Sequence, residues 1–237
     1  MNDQGIMSQI SSHIVKGRFD AHIHGQGSTV KGQPGITELI RLSLEKNVPP
    51  PLISADALDK AMYKSIKIYE EGQFLLPELI ARAKSTAKAR LILAKHTGAE
   101  FSLSKGKAVL ATLYGEDHTR WREITLCILK GLGFNVIDLG AGASVEDLVQ
   151  SVMYDKPAIL GITMPSTSII PEINAISPGP SISEIKTMLD TLSEKGSREN
   201  MKLILGGYAA GIESAEAIGA DYCCSNVFQT IVTLRSL

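Results

Sequence analysis

The sequence is short of aromatic residues, which make up 5% of its 237 residues and include a single tryptophan, Trp121. It has three cysteines, Cys127 and the adjacent pair Cys223 and Cys224. Three cannot build a disulfide framework, and they fit a reducing compartment. No charge predominates: 24 basic residues against 25 acidic ones leave a net charge of −1. A nucleic-acid binder advertises a basic excess or run, so no nucleic-acid partner is expected. No apolar run approaches the roughly 20 residues that span a bilayer. The opening stretch MNDQGIMSQISSHIVKGRFD has no apolar core of signal-peptide length. No membrane association and a cytoplasmic location are therefore expected. What the chain does have is 44% hydrophobic and 21% charged residues, the balance of a globular protein with a sizeable core. Its length suits two domains of about 100 residues each.

The pattern divides the chain in three. Residues 1–35 are rich in Gly, Ser, Gln and His without lasting periodicity, and GQGSTVKGQPG (25–35) reads as a loop, so an N-terminal arm is expected there. Residues 36–104 read as a helical bundle. Ile36, Leu39, Ile40, Leu42 and Leu44 recur at helical spacing, and the prolines of VPPP (48–51) end that helix. Ser54 and Asp56 offer N-caps for a helix over 57–71, and Gly72 a C-cap. LLPELIARAKSTAKARLILAKHTG continues as a helix to Gly98. Residues 105–237 alternate short apolar runs with amphipathic stretches: KAVLATLYG, WREITLCILKGLG, FNVIDLG, SVEDLVQSVMYD, AILGITM, SEIKTMLDTLSEKG, MKLILGG, AAGIESAEAIG, ADYCC and NVFQTIVTLRSL. That alternation predicts an α/β fold with a doubly wound parallel sheet. Such folds bind ligands beyond the C-terminal ends of their strands.

Three strand ends carry chemistry. The first expected strand runs out into Gly115-Glu116-Asp117-His118-Thr119-Arg120-Trp121. By itself His118 also suits an exposed loop histidine or a residue capping the next helix. The third ends in Gly161-Ile162-Thr163-Met164-Pro165-Ser166-Thr167-Ser168, and the fourth in Gly206-Gly207-Tyr208. Small residues after neighbouring strands let a flat group approach the backbone, and hydroxyls can bond it. Gly206-Gly207 alone equally fits a tight turn.

Taken together these segments resemble the corrinoid (cobalamin-binding) proteins of methyl-transfer systems. The fingerprint of that family is Asp-x-His-x-x-Gly, a long interval, Ser-x-Leu, a shorter interval and Gly-Gly. Here Glu116-x-His118-x-x-Trp121 is followed by 41 residues (122–162), Thr163-x-Pro165, 40 residues (166–205) and Gly206-Gly207. GQFLLPELIARA, GLGFNVIDLG and AIGADYCCSN extend the likeness over residues 36–237. The resemblance implies a helical cap followed by a Rossmann-like cobalamin-binding domain. It implies His118 as the lower axial ligand of cobalt, Glu116 or Asp117 as its hydrogen-bonding partner, and a displaced nucleotide tail threaded into the sheet domain. Thr163, Ser166, Thr167, Ser168 and the Gly206-Gly207 backbone would contact that tail, with Thr119, Arg120 and Tyr208 bordering the cofactor. Phe74, Leu75 and Leu76 would cover its upper face. The implied function is a methyl carrier loaded with methylcobalamin or hydroxocobalamin. It would serve a substrate-specific methyltransferase and a second acceptor methyltransferase, alongside a reductive activase.

Several positions depart from the family. Glu116 stands for aspartate, which lengthens the arm by one methylene. Trp121 stands for a glycine, and its bulk either fills the space of the tail or stacks on the ligand. Pro165 stands for leucine, and an insertion lies around 169–183. Two other functions stay open: a subunit of an adenosylcobalamin isomerase, and a non-enzymatic cobalamin sensor or carrier with an altered site. Asp20-Ala-His22-Ile-His24-Gly25 repeats the motif's spelling, but no buried-strand run precedes it. A metallohydrolase barrel would need about 250 residues, so surface histidines are expected, while a two-histidine metal site stays open because His22 and His24 fall on one side of an extended chain. Cys127 is expected in the core. Cys223 and Cys224 alternate across a strand, so a shared metal is not expected.

Overall fold

The computed structural model describes residues 3–18, 34–98, 104–114, 119–163, 182–207 and 216–237. They group into two compact units, Met1–Lys105 with Cys127–Phe134, and Gly106–Leu126 with Asn135–Leu237.

The first unit is helical. Its elements are α1 (Asp3–Val15), α2 (Ile36–Glu45), α3 (Pro50–Ile53), a π-helical stretch (Ser54–Asp59), α4 (Lys60–Glu70) and α5 (Leu76–Thr97). Helix α1 corrects the expectation of an irregular arm over its span. Ile6, Met7, Ile10 and Ile14 are buried and recur at helical spacing, beneath a composition dominated by polar residues. His13 is buried beside them; burial first, then Arg18 and Lys16, hold its imidazole below the ordinary histidine range. In α2, Ile36, Leu39 and Ile40 are buried while Leu42 faces outward. The prolines after α2 both end it and start the next helix, because a proline lacks the N–H that a first turn leaves unused anyway. Ser54 is thus interior to a continuous helix and not its N-cap. Gly72 and Gly98 adopt φ of 73° and 67° at the ends of α4 and α5, where a side chain would be strained.

The second unit is α/β. It contains β1 (Lys107–Leu113), α6 (Arg120–Leu132, whose last residues belong to the helical unit), β2 (Asn135–Ala143), α7 (Val145–Asp155), β3 (Ile159–Thr163), α8 (Ile182–Glu194), β4 (Lys202–Gly206), β5 (Tyr222–Cys224) and α9 (Val227–Ser236). The strands form one parallel sheet in the order β2-β1-β3-β4-β5. Side chains alternate between its faces. Val109, Ala111, Leu113, Leu160, Ile162, Leu203 and Leu205 point to one face and pack with Leu148 and Val152 of α7 and Ile185, Met188 and Leu192 of α8. Ser144 caps α7, its hydroxyl oxygen accepting from the Asp147 N–H at 3.1 Å, and the Asp147 carboxylate accepts in return from the Ser144 N–H at 2.9 Å.

Candidate functional site

The opposite face of the sheet carries the site. Pairing sets Thr112, Thr163, Gly206 and Cys224 in one row across β1, β3, β4 and β5, at their C-terminal ends. One step back lie Leu110, Gly161, Ile204 and Tyr222. Strand partners in register share a face, and the Thr112 hydroxyl donates to Thr163 Oγ1 at 3.3 Å. Both threonines are buried.

Two glycines on this face remove the side chains that would cover it. A Cβ on Gly161 would lie 2.5 Å from Leu110 Cδ2 and 3.3 Å from Trp121 Cη2. A Cβ on Gly206 would lie 1.7 Å from Trp121 Cε2, 2.1 Å from Cζ2 and 2.2 Å from Nε1. The indole therefore rests directly on the backbone of β4 and reaches over β3, in a slot that exists because both residues are glycine. Trp121 sits in the first turn of α6 and is 6% exposed. Its Nε1–H donates to the Thr230 hydroxyl at 2.8 Å, and that hydroxyl donates to the Asn226 carbonyl at 2.9 Å. The Asn226 side chain caps α9 by accepting from the Gln229 N–H at 2.9 Å.

The remaining described site residues fall around it. Thr119 precedes α6 and its hydroxyl donates to Glu123 Oε1 at 2.8 Å, while Arg120 is exposed. Gly207 follows β4 with φ 103°, so Gly206-Gly207 combines a close approach with a turn. Arg122, also in the first turn of α6, is buried against Asp138 of β2, and its Nε has no hydrogen-bond partner among the described residues. Glu116, Asp117, His118, Pro165, Ser166, Thr167, Ser168 and Tyr208 lie outside the described residues, as do His22, His24 and positions 169–181 of the insertion. In the helical unit, Phe74 stacks beneath the Arg82 guanidinium at 3.8 Å and Leu75 is 71% exposed.

Cys224 stands in the glycine row, and burial pushes its thiol up against smaller opposing pulls from the Thr233 and Thr230 hydroxyls. Cys223 packs against the core on the other face, its thiol raised by burial and by Cys224. The pair thus points apart, and the described residues hold no cluster of metal-ligating side chains. Cys127 is half-buried. A groove between α7 and α8 is lined by Tyr114, Glu146 and Glu184, and its described lining residues include no basic side chain. Thr112, Cys224 and Thr230 escape sequence reasoning. Strand register reveals the first two, and only the fold brings Thr230 to a tryptophan so distant in sequence.

A family model, the B12 binding domain, matches residues 106–230. A corrinoid protein of Desulfitobacterium hafniense is 26% identical over 195 residues, covering 79% of this chain and 84% of its own. Dimethylamine corrinoid protein 3 of Methanosarcina acetivorans is 23% identical over 190 residues, covering 80% and 84%. Among solved structures, the methanol:cobalamin methyltransferase complex from Methanosarcina barkeri shares the fold, with a TM-score of 0.72 at 20% identity over 98% of this chain and 77% of that one. A cobalamin-binding protein from Desulfitobacterium hafniense matches with a TM-score of 0.65 at 20% identity over 98% of both chains.

Cobalamin ends in a nucleotide tail bearing a flat bicyclic base. The indole already lies against both glycines, which leaves no room for such a ring between it and the strands. The chain belongs to the B12-binding domain family, and cobalamin is its cofactor class.

Proposed function

We propose that this chain is the cobalamin-carrying subunit of a methyltransferase system. It shuttles a methyl group between a substrate-specific methyltransferase and a second, acceptor methyltransferase, in the cytoplasm and alongside a reductive activase. The observation that carries the reading is the family match over 106–230, laid on a sheet whose C-terminal edge is a row of hydroxyls and glycine. Relatives named as dimethylamine and trimethylamine corrinoid proteins support methyl transfer as the setting. So does a fold shared with a methanol:cobalamin methyltransferase complex.

The cofactor, when bound, supplies a metal centre that takes and gives a methyl group. The chain's part is to hold and orient it. His118 is the proposed axial ligand to cobalt. Glu116 is the proposed acceptor for the other ring N–H, which fixes the imidazole and raises its basicity, with Asp117 as the neighbour able to replace it. Thr119, Arg120, Thr163, Ser166, Thr167, Ser168, Gly207 and Tyr208 are proposed to border the cofactor. Reconstitution with hydroxocobalamin, read by visible absorption, tests the proposal. The expected outcome is a red protein with stoichiometric corrinoid whose spectrum changes in His118→Ala. Protein that stays colourless overturns the carrier reading. Binding with an unchanged spectrum in His118→Ala removes only the ligand assignment.

A further inference from the structure

We infer that Trp121 permanently occupies the glycine slot, so that the corrinoid of this chain is held with its nucleotide tail outside the sheet and tail-less corrinoids are accepted as well as complete ones. The inference rests on the cobalamin reading above and goes beyond it by naming which corrinoids the site distinguishes.

Three observations carry it. First, the indole is in contact with the floor of the slot. Three of its ring atoms lie within 2.2 Å of where a Gly206 Cβ would stand, and Cη2 lies 3.3 Å from the corresponding point on Gly161. No layer of space remains beneath it for a second ring. Second, its polar edge is satisfied. Nε1–H meets Thr230, whose own proton is committed to the Asn226 carbonyl at the cap of α9. Withdrawing the ring would break a buried hydrogen bond and uncover two glycines. Third, an indole and the base of the tail are both flat bicyclic rings of similar size. Exchanging one for the other gains no new apolar contact to offset that loss. The side chain thus takes the place of the base, and the slot contributes nothing to affinity for the tail.

Equilibrium titrations by visible absorption test this with two probes: hydroxocobalamin, and aquocobinamide, which has the same corrin ring without the nucleotide tail. The native protein is expected to bind both with dissociation constants within threefold of each other. Trp121→Gly, with folding checked by circular dichroism, is expected to open the slot and favour hydroxocobalamin at least tenfold. A native preference for hydroxocobalamin of threefold or more overturns the inference and leaves the carrier reading standing. So does a folded Trp121→Gly protein with an unchanged ratio. Should that variant not fold, the native ratio decides alone. Failure of the native protein to bind either probe overturns the carrier reading, and this inference with it.

Discussion

Trp121 buries an N–H that must meet an acceptor, and the Thr230 hydroxyl is that acceptor at 2.8 Å. Thr230→Val keeps the shape and removes the oxygen. It is expected to cost about 1–3 kcal/mol, the penalty for an orphaned buried donor, measured by urea unfolding of the full chain. Thr230→Ser, which keeps the hydroxyl, is expected to lose less. A loss for Thr230→Val within about 0.5 kcal/mol, the range of a neutral surface substitution, would show that the hydrogen bond contributes nothing. At this scale the sequence is partly legible. Trp121 stands out against the family pattern by its bulk, and Gly161 and Gly206 stand out as glycines within apolar runs. Their meeting is not legible, because it depends on register: Thr163 pairs with Gly206, which brings Gly161 and Gly206 to one face. The partner Thr230 has no local signature at all.

At the scale of elements, the π-helical stretch Ser54–Asp59 has both its ends bound to one buried cation. Arg90 of α5 donates to Ser54 Oγ at 2.7 Å, to the Gly131 carbonyl at 3.2 Å and to the Asp59 carboxylate. Lys105 approaches the same carboxylate at 3.4 Å. The extra residue of a π turn re-aims the two ends of the stretch, and both ends hold the same guanidinium. Arg90→Ala takes the guanidinium from the Gly131 carbonyl and the Ser54 hydroxyl and leaves Asp59 with Lys105 alone. It is expected to cost about 3 kcal/mol, with Arg90→Lys recovering only part because an ammonium lacks the planar fork. Thermal unfolding of both variants checks this; a loss under 1 kcal/mol for the alanine variant, about that of an exposed pair, would contradict it. The helices α2, α4 and α5 are legible from spacing and end signals. Helix α1 is hidden by the serines and glutamines between its apolar positions. The π stretch has no local signal in the sequence, and the residue that ties its two ends, Arg90, lies a whole helix away.

For the whole molecule, parallel alternation of strand and helix is legible because buried strands read as short apolar runs and the helices between them as amphipathic stretches. The order β2-β1-β3-β4-β5 is not, since it is set by crossovers and not by any one segment. The acid limit of the fold follows from carboxylates that bridge elements. Burial pushes the Asp221 carboxyl up. The Leu203 N–H, the Lys202 ammonium and the Arg198 guanidinium outweigh that and leave it below the usual 3.8. The bonds run 2.9 Å to Leu203 N, 3.2 Å to Lys202 Nζ and 2.7 Å to Arg198 Nη2, so one side chain ties the start of β5 to β4 and to the turn before it. A carboxylate with a lowered native pKa contributes stability that is complete above its unfolded value and is lost as pH falls through the native one. Asp221→Asn is therefore expected to lower the unfolding temperature of the chain at about pH 7, and to converge on the native protein once the pH has fallen through the lowered native value. Thermal melts across that range give the answer. A gap between the two proteins that persists unchanged into acid would mean that the amide disturbs packing and that the charge of Asp221 contributes nothing.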